Sequence, residues 1–354
     1  MFKKIALIIC CILLCTKLAH ADDKALIATV YTTIADKHLI PVEISETAIT
    51  ALKSLNKIDK NLTFADGKEM VYLYYKRQTA GLWHKPENGG TISDWAEITS
   101  AAIEKAAKIS PKAAKEKEYL VEKIFHAAAA SLKDHSQYHF SDEIEEVRNS
   151  QPFSVKTDGK FLYIKIKGFS TDTASMVKNA LARHPQTAAV IIDLRGNAGG
   201  QLNAAIEVAK LFIDDGIIVA TKGRDNNSAK YYVSEQHTAF NLPLAVLIDQ
   251  TTASSAEVLA AALKEQAQAQ LIGTLSYGKG TIQDIYLFDN GGKLALTTGQ
   301  FFTPSGSRIE KIGLFPDYCI INDKLVTTPP CPQQKRENKS FDINFAKQVL
   351  SGQI

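Results

Sequence analysis

Cysteine is scarce in this sequence. Of five cysteines in 354 residues, Cys10, Cys11 and Cys15 crowd the N-terminus, leaving only Cys319 and Cys331. There is no HExxH and no Cys/His cluster, so no metal site is legible and no cofactor is expected. No apolar run after residue 15 is long enough to cross a bilayer. An excess of one charge is missing too. Beyond residue 21 there are 38 basic and 38 acidic side chains, which excludes a nucleic-acid footprint. There is no GxSxG elbow, and none of the seven histidines after residue 21 falls in the two strand-to-helix turns described below, so a His-based triad fits badly.

What the sequence does have begins with a signal-like N-terminus. Lys3 and Lys4 precede an apolar run from Ile5 to Cys15, too short to span a membrane comfortably, and Ala19-His20-Ala21 is a small-x-small cleavage site. Residues 1–21 therefore read as a signal peptide, and cleavage leaves no membrane span. The alternatives are a retained anchor or a lipoprotein signal using Cys15, although Leu14 fits a lipobox poorly. The expected location is periplasmic or secreted. In an exported protein Cys319 and Cys331 read as a disulfide that ties a C-terminal tail, residues 326–354. Two free or metal-binding thiols would lack a neighbouring His or Cys.

Residues 22–145 read as mainly helical with a hairpin. Helix breaks at Pro41, and Ser45 is a candidate N-cap for a helix from Glu46. Residues 61–75 alternate around Asp66-Gly67 as a hairpin, and residues 92–133 are helical with an interruption at Ser110-Pro111. From residue 160 the pattern changes to alternating strands and helices, an α/β core assigned to residues 146–325. Strands are predicted at Phe161–Ile166, Ala188–Leu194, Ile217–Thr221, Leu244–Ile248, Gln270–Gly273, Thr281–Phe288 and Lys293–Phe302, with a turn at Gly291-Gly292. Helices are predicted at Thr171–His184, Leu202–Ile213 and Ser255–Glu265.

Two turns follow buried strands and open helices, the places where open α/β sheets build sites. In Asp193-Leu194-Arg195-Gly196-Asn197-Ala198-Gly199-Gly200 the paired glycines leave backbone N–H groups bare for an anion or oxyanion, or merely permit a tight turn. In Thr251-Thr252-Ala253-Ser254-Ser255-Ala256-Glu257, Ser254 with Glu257 makes a capping box, and a lone serine before a helix is a cap more often than a nucleophile. A nucleophile there would nonetheless have the Ser255 N–H at hand for the oxyanion. Its base would be Lys279 in Gly278-Lys279-Gly280-Thr281, if burial lowers the amine's pKa; otherwise Lys279 is an ordinary surface turn lysine. Extended backbone over 279–283 places Lys279, Thr281 and Gln283 on one side. The glycine-lysine run lacks the spacing of a phosphate loop.

Taken together and in order, DLRGNAGG at 193–200, TTASSAEVLAAAL at 251–263, YGKGTIQ at 277–283 and FFTPSGSRIEKIGLFPD at 301–317 resemble the carboxy-terminal processing, or tail-specific, serine peptidases over about residues 160–320. LKDHSQYHFS at 132–141 is similar to the segment leading out of that family's helical region. The resemblance implies an α/β fold, a mixed sheet flanked by helices (a ClpP/crotonase-like protease core) with a mainly helical N-terminal region. It implies a Ser/Lys dyad of Ser254 as nucleophile and Lys279 as base, with Gln283 orienting the lysine. The Ser255 amide with a Gly199 or Gly200 amide would form the oxyanion hole. Substrates would be extended or unfolded polypeptides, bound as an added strand and cut near their C-termini. Two departures stand out. Ala198 occupies a position where many members have proline. Only about 20 residues separate Phe140 from Phe161, too few for the PDZ domain that members insert there. That gap motivates a competing reading, a non-catalytic peptide- or apolar-ligand-binding module, and leaves room for a homo-oligomer or an activating partner.

Overall fold

The structure, a computed structural model, describes residues 23–140, 153–225, 227–235, 240–327, 330–337 and 339–354. The signal-peptide reading of residues 1–21 lies outside them. The chain divides into two compact units, Met1–Glu145 with Gln283–Thr298, and Glu146–Ile282 with Gly299–Ile354.

In the first unit, helix α1 (residues 23–37) precedes α2 (Ile44–Lys53) and α3 (Leu55–Ile58). Pro41 falls in the gap between α1 and α2, where its ring disfavours helix in the preceding residue. Ser45, the expected cap, lies inside α2. The helix starts earlier because Ile44 is buried in the core, and Glu43 takes the N-cap position with no side-chain bond. Strands β1 (Leu62–Asp66), β2 (Met70–Tyr75) and β3 (Gln78–His84) form an antiparallel meander. The third strand is not legible in sequence because no residue in it is fully buried, so it carries no apolar alternation. Helix α4 (Ile92–Ile109) starts on a capping box, in which Thr91 N–H donates to Asp94 (2.8 Å) and Asp94 N–H donates to Thr91 Oγ1 (3.2 Å). It stops at Ser110, and Pro111 opens α5 (Pro111–Lys115), where a missing N–H costs nothing. Helix α6 (Leu120–Ser131) and strand β4 (Gln137–His139) follow. The helices' apolar faces meet the meander in one core that buries Leu52, Leu73, Trp95 and Phe125.

The second unit runs β5 (Phe153–Asp158), β6 (Phe161–Ile166), α7 (Thr173–Arg183), β7 (Ala189–Asp193), α8 (Leu202–Ala209), β8 (Asp215–Gly223), β9 (Lys230–Glu235), β10 (Leu244–Ile248), α9 (Ser255–Gln266) and β11 (Gln270–Gly273). After a hairpin of β12 (Thr281–Leu287) and β13 (Lys293–Phe302) come β14 (Tyr318–Ile321), β15 (Lys324–Val326) and α10 (Ser340–Leu350). Its main sheet is mixed. Strands β6, β7, β10, β11 and β14 are parallel, and β5 and β15 close the two edges antiparallel. Helices α7, α8 and α9 pack on one face against Val190, Ile192 and Val246. Helix α10 covers the other face, with Phe345 and Ala346 against Ile191, Ala245 and Leu247. Burial on both faces is why β7 and β10 read as unbroken apolar runs. Strand β8 pairs with β9 and with the Gly299–Phe302 end of β13. The outer part of the hairpin, Gln283–Thr298, is grouped with the first unit, in whose core Leu294 and Leu296 are buried. No helix among the described residues is long and apolar enough to cross a membrane.

Candidate active site

The candidate site lies in the second unit, at the C-terminal ends of the neighbouring parallel strands β7 and β10. The turn after each strand is laced to the other. Ala253 N–H donates to the Asn197 carbonyl (3.0 Å), Thr252 Oγ1 to the Leu194 carbonyl (3.0 Å) and Ser255 Oγ to the Gly200 carbonyl (3.3 Å). Buried Asp249 accepts from Thr251 N–H (2.9 Å) and Gly196 N–H (3.3 Å). Glycine is required where the turns touch. A Cβ on Gly199, at φ +109°, would stand 2.9 Å from Ser254 Cβ, and one on Gly200, at φ +138°, only 2.4 Å from the Phe169 carbonyl.

Ser254 is half-buried at the N-cap of α9 with φ 57° and ψ −125°, a conformation that costs a non-glycine residue about 1–3 kcal/mol. Such strain persists only where its surroundings enforce it. Here the enforcing group is Glu257, which is fully buried. Its Oε2 accepts from Ser254 N–H at 3.0 Å and from Lys279 N–H at 2.9 Å, while Oε1 accepts from Gly278 N–H at 2.7 Å and from the Ser276 hydroxyl at 2.5 Å. The Ser254 and Lys279 nitrogens are therefore separated by no more than the sum of two hydrogen-bond lengths. Burial pushes the Glu257 carboxyl above the usual range, opposed by the bonds from Ser276, Gly278, Lys279 and Ser254.

The loop that carries Lys279 leaves β11 and is fixed on both sides. Tyr277 N–H donates to the Thr252 carbonyl (3.0 Å), one residue before Ala253, and Lys311 N–H to the Gly278 carbonyl (2.8 Å). Gly278 (φ +85°) and buried Gly280 lie against the 309–313 segment, and Gly280 N–H donates to Glu310 Oε2 at 2.8 Å. Lys279 is half-buried, and desolvation lowers its ammonium pKa below the ordinary lysine value, an effect the nearby Glu310 charge opposes.

The Ser255 N–H, at the first position of α9, has no hydrogen-bond acceptor among the described residues. The two glycine amides of the sequence reading differ. Gly199 N–H is engaged by Asn197 Oδ1 at 2.8 Å, so it is not free to meet an oxyanion, whereas Gly200 N–H has no acceptor among the described residues. Gln283 is grouped with the first unit, where its side chain donates to Thr297 Oγ1 at 3.2 Å. Cys319 and Cys331 form a disulfide with Cα atoms 5.9 Å apart. No metal-holding group of His, Cys, Asp and Glu occurs among the described residues.

Sequence reasoning missed what lies beneath the first turn. Asp193 and Arg195 are buried and paired through Arg195 Nε (2.9 Å) and Nη2 (2.7 Å). Arg195 Nη1 continues to Asp342 of α10 (2.9 Å), which also binds buried Arg336. Burial would raise the Asp193 carboxyl, but Arg195 and Lys165 overturn that and hold it below the usual range. A signal existed: an acid and an arginine two apart at the end of an apolar strand imply a buried pair, since neither charge is buried alone.

Residues 160–320 match the model of Peptidase family S41, a span that contains both turns and the lysine loop. The chain is 30% identical over 218 residues to a carboxy-terminal-processing protease of Bartonella bacilliformis, covering 60% of this chain and 48% of that protein. It is 36% identical over 159 residues to carboxyl-terminal-processing peptidase 1, chloroplastic, of Arabidopsis thaliana, covering 44% of this chain and 32% of that protein. The chain thus spans about half the length of the curated relatives it matches, or less. Among solved structures, a lipoprotein from Streptococcus agalactiae aligns with a TM-score of 0.54 at 17% identity, covering 90% of this chain and 100% of that one, a likeness of fold alone.

Proposed function

From the match of residues 160–320 to the model of Peptidase family S41, we propose that the protein is a serine endopeptidase that cuts extended or unfolded polypeptides near their C-termini, with Ser254 as nucleophile and Lys279 as general base. The observation that carries this reading is the single carboxylate oxygen of Glu257 that takes both the Ser254 and the Lys279 amide. It ties the backbone of a strained serine to that of a partly desolvated lysine, which supports nucleophilic catalysis without histidine. Ser254 Oγ attacks the scissile carbonyl as Lys279 takes its proton. Negative charge on the tetrahedral oxygen meets the Ser255 N–H at the start of α9 and the Gly200 N–H in the turn before α8. Lys279 then delivers the proton to the leaving amine, and water hydrolyses the acyl ester. Gln283 keeps the lysine-orienting role that the resemblance gives it. The disulfide and the signal-like N-terminus favour a periplasmic or secreted enzyme.

Ser254→Ala and Lys279→Ala are each expected to cut cleavage of casein by at least about a thousandfold with unchanged circular dichroism. Only the neutral amine accepts a proton, so kcat/KM should rise with pH through the lowered Lys279 pKa. Full activity in either variant sinks the dyad.

A further inference from the structure

The first unit holds a groove of about 570 Å³, within the range of roughly 300–1,000 Å³ typical of ligand sites. Two helical faces form its walls. Thr50, Lys53, Ser54 and Lys57 follow one another at helical spacing, and Ser54 keeps helical dihedrals (φ −66°, ψ −15°) so that α2 and α3 present one continuous face. Lys123, His126, Ala127 and Ala130 repeat that spacing on α6. Small residues on both faces keep the groove open, and Phe140, stacked on His126 with ring centroids 6.1 Å apart, adds apolar surface.

Its charge is one-sided. Among the described residues the only acid lining it is Glu116, already tied to Lys123 at 2.6 Å. Lys53 and Lys57 are exposed and have no acidic partner among the described residues, although like charges four apart on a helix repel. His126 Nδ1 is 3.1 Å from the Tyr138 carbonyl, which can only accept, so Nδ1 carries the proton and Nε2 is left for a ligand. We propose that this groove binds a short acidic peptide segment whose apolar residues alternate with its carboxylates. The lysines meet the carboxylates, while Ala127, Ala130 and Phe140 cover the apolar side chains. Inorganic phosphate would leave those walls bare. A nucleic acid finds no wider basic field on a chain whose charges balance beyond residue 21. The proposal goes beyond the peptidase reading and does not rest on it.

Binding is measured by fluorescence polarisation on full-length Ser254→Ala protein, so that failure of catalysis leaves the result intact. The probe is a labelled octapeptide of alternating Glu and Leu, compared with Lys/Leu and Glu/Ser peptides. The Glu/Leu peptide should bind best and weaken as salt is raised. Lys53→Glu with Lys57→Glu should cost it about tenfold and improve the Lys/Leu peptide. Ala130→Trp, on an exposed position, should block both by filling the groove. The proposal is overturned if Lys/Leu or Glu/Ser binds as well as Glu/Leu to the unaltered groove, or if these variants leave binding unchanged. It is equally overturned if phosphate or anionic phosphatidylglycerol vesicles bind in the groove and the peptide does not.

Discussion

Glu257 serves two neighbours with one oxygen, and only one of them is local. Its place three residues after Ser254 is the spacing of a capping box, legible in the sequence because i and i+3 face each other at a helix start. Lys279 N–H lies 22 residues further on, and nothing in a linear pattern announces that pairing. The same limit applies to Glu310, which binds the Gly280 amide from 30 residues away. Glu310 is the charge that opposes desolvation of Lys279. Glu310→Gln keeps an acceptor for Gly280 N–H and removes that charge, so the Lys279 pKa should fall further. The rising limb of the kcat/KM profile should then move to lower pH, with the plateau little changed. A limb that stays in place, or moves to higher pH, would separate Glu310 from the base.

At the scale of elements, legibility followed burial. Strands β7 and β10, buried at every position, match their apolar runs to within a residue or so, because only Asp193 at the end of β7 is polar. The edge strands β5 and β9 have exposed positions and polar stretches that resemble loops. Helix α10 was also unread, since Ser340–Leu350 buries only Asp342, Phe345 and Ala346. Yet it supplies the carboxylate between Arg195 and Arg336, both buried. Asp342→Asn would leave two buried guanidinium groups short of one charge, a loss of about 3–5 kcal/mol when one partner of a buried pair is removed. Urea unfolding of the variant should show it. A change within about 0.5 kcal/mol, the ordinary range for surface substitutions, would mean that water reaches this network in solution.

For the second unit as a whole, the segment beyond β15 acts as a strap across both loops of the site. Leu275 N–H donates to the Pro332 carbonyl (3.3 Å), and Gln333 donates to the Ser276 (2.7 Å) and Tyr277 (3.2 Å) carbonyls, all on the approach to Lys279. The Gln334 carbonyl accepts from Gln250 N–H (3.2 Å), and Arg336 N–H donates to Asp249 (2.8 Å), on the approach to Ser254. The disulfide fastens the strap to β14 just before these contacts begin. The sequence shows the cysteines but not the strap, because Pro332–Arg336 is polar, irregular chain whose partners lie in distant loops. Closing a loop of this size is worth about 3 kcal/mol, mainly by restricting the unfolded chain. Cys319→Ser with Cys331→Ser should therefore unfold at lower urea than the oxidised protein and match it once reductant is added. If the strap positions the loops, casein cleavage should fall together with stability, at temperatures where the variant is still folded. Equal activity per folded molecule would confine the disulfide to stability and leave the loops to be held by Glu257 and the buried network alone.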